Sequence, residues 1–417
     1  MPYSTTEVIP RRIIVNKRIP LGVAISLIAI GCAITFVLTW TISLNVYNSK
    51  ISTADKYEGV YEKLREIDAV VRNNYIGTIT DESIELGIIN GYVSGIGDKY
   101  ASYLQPNSYY ELQQNTGGVV SGAGIVAKAD GSGYLVVTNV YKNSSAYLNG
   151  IKTGDVITEI DGRSLLTMEE DAALEKISGA IGSKLTLKLL RDGEEMTVSL
   201  IRQQIDIESV TGEMLENNIG YIRITTFNDK TAEQFAGALN SLTEKGLKGL
   251  ILDVRQNGGG VIAPLKSMLN RLLPACVAAT AEYINGVKKT LIETDSVNNI
   301  SVPMTVLVDG GTASAAEIFA VALRDEGNAV LVGTQTYGKA VLLGTYSFPD
   351  GTALTIPNAK VIPSKSESFD GVGLKPDYIA ELPAGETPDT VSRENDSQLQ
   401  KAIEIMTPAA PPVEVMD

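Results

Sequence analysis

The segment GTASAAEIF contains one serine, Ser314, in the surroundings that nucleophilic catalysis requires. Its neighbours are small, so a substrate carbonyl can approach the hydroxyl closely. A serine hydroxyl attacks a carbonyl efficiently only when a base removes its proton, and the usual base is histidine. The chain of 417 residues contains no histidine. Any chemistry at Ser314 therefore needs a base of another residue type.

Lysine can act as this base when burial lowers the pKa of its ammonium group towards neutrality. Lys339 lies in the segment TQTYGKAVLLGTY, among apolar and aromatic residues, and follows the predicted buried strand AVLVGT. A lysine in such a segment more commonly extends its ammonium group to the surface. Ser314 also has a structural interpretation, because Ser314 to Glu317 match the S-x-x-E capping box that starts a helix. A serine there also lies near free N–H groups that stabilise an oxyanion.

Alternating strands and helices surround these residues from 205 to about 378. Apolar runs predict strands in IGYIRITTF, LKGLILDVRQ, MTVLVDG and NAVLVGT, with helices between them. This order is typical of β-α-β crossovers in a largely parallel sheet that helices cover. Functional sites in such sheets form where strands end and helices begin. The segments DVRQNGGG and DGGTASAAE lie at such junctions.

Residues 117–204 alternate glycine turns with short β-branched runs and predict a compact β-rich domain. Within it, Gly122, Ala123, Gly124 and Ile125 form a glycine turn that leads into a strand. The N–H groups of such a turn can hold the terminal carboxylate of a peptide, while the strand edge pairs with its backbone. Many ordinary hairpins carry glycines at this place, so the pattern alone does not establish peptide binding.

The N-terminal part predicts a membrane anchor. Residues 19–49 carry no charge, and the 22 residues from Leu21 to Ile42 can cross a hydrocarbon layer of about 30 Å. Basic residues precede this run, which places the N-terminus in the cytoplasm and the remainder outside the plasma membrane. A cleaved signal peptide is the competing interpretation, although SLNVYNSKIS offers no small-x-small cleavage site. Residues 50–112 read mainly as helix.

Composition limits the other functions. The net charge of −14 repels phosphate backbones, so no nucleic-acid partner is expected. Two distant cysteines and no histidine predict neither a disulfide framework nor a metal site, and no cofactor is expected. The sequence leaves open whether the chain forms a homo-oligomer.

The segment from Gly311 to Ala340 resembles the nucleophile-and-base region of the carboxyl-terminal processing peptidases, also called tail-specific serine proteases. In that family the catalytic lysine follows the attacking serine by 25 positions, the spacing of Ser314 and Lys339. GLILDVRQNGGG resembles the family's D-x-R-x-N-x-G-G turn, FDGVGLKPDY its closing strand and IGDKYASYL its N-terminal helical region. The resemblance covers roughly residues 55–380 and puts the β-rich domain where the family has a PDZ domain.

The resemblance implies a multidomain α/β protein. Its expected parts are a cytoplasmic tail (1–18), a transmembrane anchor (19–44), a helical N-terminal region (50–112), a PDZ-like domain (113–204), a serine protease core (205–378) and a loosely ordered C-terminal tail (379–417). Together with the anchor predicted from the apolar run, the resemblance implies the function of a membrane-anchored extracytoplasmic serine endopeptidase of a bacterial plasma membrane. Its PDZ domain would recognise apolar C-terminal segments of protein or peptide substrates and gate activity, while residues 19–44 contact lipid.

The resemblance also implies residue roles. Ser314 would be the nucleophile and Lys339 the general base, and the N–H groups of Gly260 and Ala315 would form the oxyanion hole. Asp253 and Arg255, at the end of a buried strand, are expected to pair and hold the adjoining loop rather than take part in the chemistry.

Three positions depart from the family pattern. Leu343 occupies the place of a glutamine that commonly orients the lysine, Ala340 replaces a glycine, and Ala316 replaces a serine. Leucine cannot form a hydrogen bond, so Lys339 loses an orienting partner. The alternative function is therefore a catalytically impaired PDZ scaffold of the same fold, and Leu343→Gln is the substitution that discriminates between the two.

Overall fold

The computed structural model describes residues 20–168, 170–295 and 299–407. The chain divides into two units, residues 1–85 and residues 86–417. The predicted cytoplasmic tail, residues 1–18, lies outside the described residues, as does the end of the C-terminal tail from residue 408.

One long helix, α1, runs from Leu21 to Asn74 in the first unit. Its first part, Leu21–Leu44, is the only stretch of the described chain that is long and apolar enough to cross a membrane, and a signal sequence would share these properties. With a rise of about 1.5 Å per residue, a helix of this length exceeds the roughly 30 Å of a hydrocarbon core. Helix α2, Asp81–Ser94, begins with two acidic residues, which interact favourably with the helix dipole.

A short strand interrupts the region that was expected to be mainly helical. This strand is β1, Ser102–Leu104, and helix α3, Pro106–Gly117, follows it. Proline at the first position of α3 suits a helix start, and Gly118 ends the helix in the left-handed conformation, with φ of 69°.

The β-rich domain is built from eight strands and two short helices. They are β2 (Val119–Gly122), β3 (Ile125–Ala129), β4 (Leu135–Val140), α4 (Ser145–Leu148), β5 (Val156–Ile160), β6 (Arg163–Ser164), α5 (Glu170–Ile177), β7 (Lys184–Arg191), β8 (Glu194–Ile201) and β9 (Gln203–Asp206). The main antiparallel sheet has the order β3-β4-β5-β7-β8, with β6 beside β5, while β2 pairs with β9. Strand β3 thus forms one edge of the main sheet, where it contacts helix α5.

The remaining region contains ten strands and four helices. They are β10 (Val210–Met214), β11 (Ile219–Ile224), α6 (Thr231–Glu244), β12 (Gly249–Asp253), α7 (Ala263–Leu269), β13 (Cys276–Tyr283), β14 (Lys288–Thr294), β15 (Met304–Val308), α8 (Ala315–Gly327), β16 (Val330–Gly333), β17 (Val341–Ser347), β18 (Ala353–Pro363), β19 (Tyr378–Ile379) and α9 (Ser397–Met406). One sheet has the order β10-β11-β12-β15-β16-β19, and all of its pairs are parallel except β10 with β11. The predicted largely parallel sheet is confirmed.

Helices cover both faces of this sheet. Every residue of β12 and β15 is buried, as continuous apolar runs in parallel sheets predict. Leu250 and Leu252 face the core that includes α6, α7 and α8, whereas Ile251 packs in the cluster that contains Leu399 and Ala402 of α9. The expectation of a loosely ordered tail was wrong for this part, because α9 buries its apolar residues against the sheet.

A second sheet is antiparallel and was not predicted. Its strands have the order β1-β18-β13-β14, and β17 also pairs with β18. Strand β18 therefore connects β17, which begins just after Lys339, with β1, which begins just after the segment IGDKYA.

Candidate active site

Ser314 lies in the turn between β15 and α8, at the carboxyl edge of the parallel sheet. Its backbone has φ of 54° and ψ of −117°, a conformation that residues other than glycine rarely adopt. Such strain costs on the order of 1–3 kcal/mol, persists only where surrounding contacts impose it, and is concentrated at functional sites. The N–H of Ser314 donates to Glu317 Oε2 at 2.9 Å, so this half of the predicted capping box is present.

The Glu317 carboxylate connects the Ser314 turn to the segment that carries Lys339. Glu317 is fully buried. Besides the Ser314 N–H, its Oε2 accepts the N–H of Lys339 at 2.8 Å. Its Oε1 accepts the N–H of Gly338 at 2.7 Å and the hydroxyl of Thr336 at 2.5 Å. Four donors therefore fix one carboxylate, and this carboxylate fixes the backbone of both Ser314 and Lys339.

Lys339 is half-buried, directly before β17. Its Nζ lies 4.7 Å from the centroid of the Tyr100 ring. Burial lowers the pKa of the Lys339 ammonium below its ordinary value; the Asp98 carboxylate opposes this shift and the Lys99 ammonium adds to it. A lowered pKa increases the share of neutral amine near neutral pH, and only the neutral amine can accept a proton.

The glycine turn after β12 lies against Ser314. A Cβ at Gly259 would come within 2.9 Å of Ser314 Cβ and 3.0 Å of the Ala315 nitrogen. At Gly260, where φ is 130°, a Cβ would lie 2.0 Å from the Phe227 carbonyl oxygen, so no side chain fits. Within the described parts of the chain, the N–H groups of Gly260 and Ala315 have no protein acceptor. Both groups are thus available for an oxygen atom that develops negative charge.

Hydrogen bonds fix this glycine turn to the Ser314 turn. Asp309 accepts the backbone N–H of Gln256 at 2.9 Å and its side-chain amide at 2.7 Å. The N–H of Ala313 donates to the Asn257 carbonyl at 2.9 Å, and the Asn257 amide donates to the Ile224 carbonyl at 2.9 Å. The two turns that hold the predicted oxyanion donors therefore form one bonded unit.

Arg255 holds the same turn through ion pairs and hydrogen bonds with side chains at the end of β12 and the start of α9. It is buried and donates to both oxygens of Asp253, at 3.0 and 2.7 Å. It also donates to both oxygens of Asp396 and to Gln398, which belong to the start of α9. Burial would lower the pKa of Arg255, but hydrogen bonds and charge from the two aspartates outweigh it and raise the pKa. The predicted pairing of Asp253 with Arg255 is confirmed.

Two of the three departures from the family pattern, Ala340 and Leu343, lie near the start of β17, whereas Ala316 is buried in α8. Leu343 is 40% exposed and pairs with Pro357 of β18. Ala340 is buried, and its N–H donates to Asp370 at 3.3 Å. The aromatic ring of Tyr100 lies against the Lys339 ammonium.

The predicted peptide-binding turn connects β2 with β3 in the β-rich domain. Ala123 is buried, and the N–H groups of Ala123 and Gly124 have no acceptor among the residues that the structure describes. Gly124 has φ of 88°, and a Cβ there would lie 2.1 Å from Ser144 Cβ. Gly122 is buried at the end of β2, and Ile125 begins the edge strand β3. Among the described residues, the turn thus offers free donors beside a strand edge that has no pairing partner.

The structure brings Ser314, Ala315, Gly260 and Lys339 to one end of the parallel sheet, while residues 122–125 form their separate turn. Sequence reasoning treated Glu317 only as a capping residue and did not identify Tyr100 or Asp309. Their roles depend on contacts between distant segments, so no local pattern could have indicated them. No group of three or more metal-ligating side chains occurs in the described ranges.

Comparisons with known proteins identify the family of the chain. Residues 218–380 match the model of Peptidase family S41, and residues 112–190 match that of the PDZ domain. The chain is 32% identical over 357 residues to the carboxy-terminal processing protease CtpA of Bacillus subtilis, covering 85% of this chain and 75% of that protein. It is 29% identical over 340 residues to CtpB of the same organism, covering 79% and 68%. A solved structure of the photosystem II D1 C-terminal processing protease is 24% identical, with a TM-score of 0.47 over 84% of this chain and 92% of that one.

Proposed function

Because the chain belongs to the carboxy-terminal processing proteases, a family of serine peptidases with a PDZ domain, we propose that Ser314 and Lys339 are its nucleophile and general base. The observation that carries this proposal is the oxygen atom that the two residues share. The N–H groups of Ser314 and Lys339 both donate to Glu317 Oε2, at 2.9 and 2.8 Å. The separation of the two peptide nitrogens therefore cannot exceed the sum of these distances, which suits a serine–lysine dyad.

The reaction follows from these positions. Neutral Lys339 Nζ accepts the proton of the Ser314 hydroxyl as Ser314 Oγ attacks the scissile carbonyl. The N–H groups of Ala315 and Gly260 stabilise the resulting oxyanion. The Lys339 ammonium then returns its proton to the leaving amine, and an ester between Ser314 and the substrate remains. Water hydrolyses this ester, with Lys339 accepting a proton from the water and returning it to Ser314.

Cleavage of an unfolded protein by the full-length chain, purified in non-ionic detergent, tests the dyad. Ser314→Ala and Lys339→Ala should each lower kcat by about 1000-fold or more. The matched controls Ser241→Ala and Lys245→Ala, on exposed positions around the end of α6, should cleave at the parent rate. The parent rate should rise with pH through an apparent pKa below the ordinary lysine value of about 10.4, because only neutral Lys339 is active.

Undiminished cleavage by Ser314→Ala or Lys339→Ala would refute the dyad. An inert parent would instead favour the scaffold function, especially if Leu343→Gln produced cleavage.

We further propose that the turn at residues 122–125 and strand β3 bind the C-terminal segment of a protein and regulate cleavage. The free N–H groups of Ala123 and Gly124 support capture of a carboxylate, and the edge of β3 supports pairing with a peptide backbone. In the same assay, a peptide with an apolar C-terminus should alter the cleavage rate. Its C-terminally amidated form, which lacks the carboxylate, should have no effect; equal effects of both would contradict this role.

We also propose that Leu21–Leu44 anchors the chain in a bacterial plasma membrane, with the protease outside the cytoplasm. Support comes from the length and apolar composition of this part of α1, from the basic residues before it, and from the bacterial relatives.

A further inference from the structure

A residue outside both matched regions lies against the proposed base. Tyr100 follows α2, before residue 112, where the PDZ match starts. Its ring centroid is 4.7 Å from Lys339 Nζ. At this distance the ring occupies space that water would otherwise take beside the amine.

Two contacts fix Tyr100 in this place. Its N–H donates to Asp98 Oδ1 at 2.7 Å, which shapes the turn before β1. Two residues later, Ser102 pairs with Thr355 of β18, and Thr355 also pairs with Thr345 of β17 on the other side. The strands next to Tyr100 and Lys339 are therefore held by the same central strand.

The ring, rather than the hydroxyl, is the part of Tyr100 that acts on Lys339. Tyr100 Oη is buried and forms no hydrogen bond with Lys339; the cation that its hydroxyl interacts with is Lys99, whose pKa this interaction raises. The hydroxyl therefore does not explain the position of Lys339 beside Tyr100. The aromatic face attracts an ammonium group, which favours the charged amine, but it also excludes water from the amine, and burial is the leading cause of the lowered Lys339 pKa.

We propose that Tyr100 is a positioning residue for Lys339. Its ring restricts the positions of Nζ and shields the amine from water, at a site where Leu343 offers no hydrogen bond. The inference rests on the proposed role of Lys339 as the base. It makes the dyad depend on a segment that precedes both the PDZ domain and the protease core.

Charged groups around Lys339 contribute to its titration as well. Lys99 Nζ lies 4.7 Å from the same Tyr100 ring and 5.0 Å from the Tyr337 ring. Asp98 raises the pKa of Lys339 and Lys99 lowers it, both more weakly than burial does. The acidic groups that contact the backbone of this segment from elsewhere in the chain are Glu317 and Asp370, which accept the N–H groups of Lys339 and Ala340. A test must therefore remove the ring and leave these charges unchanged.

The test compares Tyr100→Ala with Tyr100→Phe in the full-length chain, by the pH dependence of kcat/KM. Tyr100→Ala admits water to the amine and should raise the pKa of Lys339. The acidic limb of the kcat/KM profile should therefore move up by about one pH unit, so that activity falls about tenfold at neutral pH and recovers at high pH. Tyr100→Phe keeps the ring, so the acidic limb of its pH profile should stay in place even though the interaction of the hydroxyl with Lys99 is lost. Tyr110→Ala, on the exposed side of α3, is the matched control and should match the parent.

A merely structural role would lower activity at every pH without moving the limb, and that result overturns the proposal. A limb that shifts as far in Tyr100→Phe as in Tyr100→Ala also overturns it. If Tyr100→Ala does not fold, Tyr100→Leu keeps apolar bulk without the ring; it should give a smaller upward shift, and an unmoved limb would again overturn the proposal.

A second readout does not require cleavage. In a Ser314→Ala background, the rate at which an amine-reactive reagent modifies Lys339, measured by peptide mass spectrometry against pH, reports the Lys339 pKa directly. Tyr100→Ala should raise this pKa, and an unchanged value contradicts the inference. Full cleavage by Lys339→Ala would instead refute the proposed dyad, so the two failures are distinguishable.

Discussion

The Glu317 carboxylate holds the backbone on both sides of the proposed dyad. Its Oε2 accepts from Ser314 and Lys339, and its Oε1 accepts from Gly338 and Thr336. Every partner is a donor, so the site is suited to a group with acceptors only. A glutamine has one acceptor and one donor at this end, and its amide hydrogens would face donors.

We therefore expect Glu317→Gln to lower kcat about thirtyfold with little change in KM, because a loss of about 2 kcal/mol in charge-assisted hydrogen bonds misplaces nucleophile and base. Steady-state kinetics and thermal unfolding measure the effect. Glu233→Gln is the matched control, since Glu233 is also the third residue of its helix, α6, but is exposed. A Glu317→Gln variant with parent kinetics would show that the carboxylate does not position the dyad.

At the level of single residues, the sequence predicts the candidate catalytic residues but not the contacts that hold them in place. Ser314 and Lys339 follow from residue type, spacing and family resemblance. Glu317 also accepts the N–H of Lys339, which lies 22 positions later in the sequence. This contact forms only because the chain after β16 passes back beside the start of α8. Tyr100 lies more than two hundred positions from Ser314 in the sequence, and only the pairing of β1 with β18 brings it to the base.

Helix α9 completes the support of the glycine turn. Asp396 caps α9 through the Leu399 N–H at 3.0 Å and binds Arg255 with both oxygens. Arg255 and Asp396 are both buried. A buried charge that loses its partner is strongly unfavourable, so the turn from Asp253 to Gly260 depends on α9.

Asp396→Asn should therefore lower the free energy of unfolding by about 3 kcal/mol and reduce cleavage as well. Urea unfolding at neutral pH measures the first effect and the cleavage assay the second. Asp389→Asn is the control, because Asp389 pairs with Arg223 at 2.8 Å but is 71% exposed, and such surface pairs contribute about 1 kcal/mol or less. Equal stability of the two variants would contradict a supporting role for α9.

The elements of the parallel sheet could be predicted because their apolar runs alternate with amphipathic helices. The antiparallel sheet joins three separate parts of the chain. Its hairpins β13–β14 and β17–β18 have a local signal in Asn285-Gly286 and Asp350-Gly351, but the pairing of β18 with β1 and β13 has none. The prolines after residue 379 indicated a loose tail. However, prolines in the segment before a short amphipathic helix do not prevent that helix from packing, and α9 buries Leu399 and Ala402.

The proposed anchor places a single apolar segment at one end of an otherwise acidic chain. Leu21–Leu44 is exposed along its length, as a segment surrounded by lipid would be. The double substitution Ile28→Arg with Val37→Arg adds charges to this segment at about 3 kcal/mol each. It should move the protein from the membrane to the soluble fraction after an alkaline wash, whereas Val60→Arg, on the later part of α1, should not.

Intact mass distinguishes the anchor from a cleaved signal peptide. An anchor retains the residues of Leu21–Leu44 in the mature protein, and their removal would refute it.

The contact between Arg255 and Asp396 spans 141 positions of the chain. Proteins are synthesised from the N-terminus, so the ribosome makes Ser314 and Lys339 before it makes Asp396. Until then, the Arg255 guanidinium lacks its second carboxylate, and the glycine turn lacks its support. The glycine turn is therefore complete only after α9 has been synthesised and has packed against the sheet.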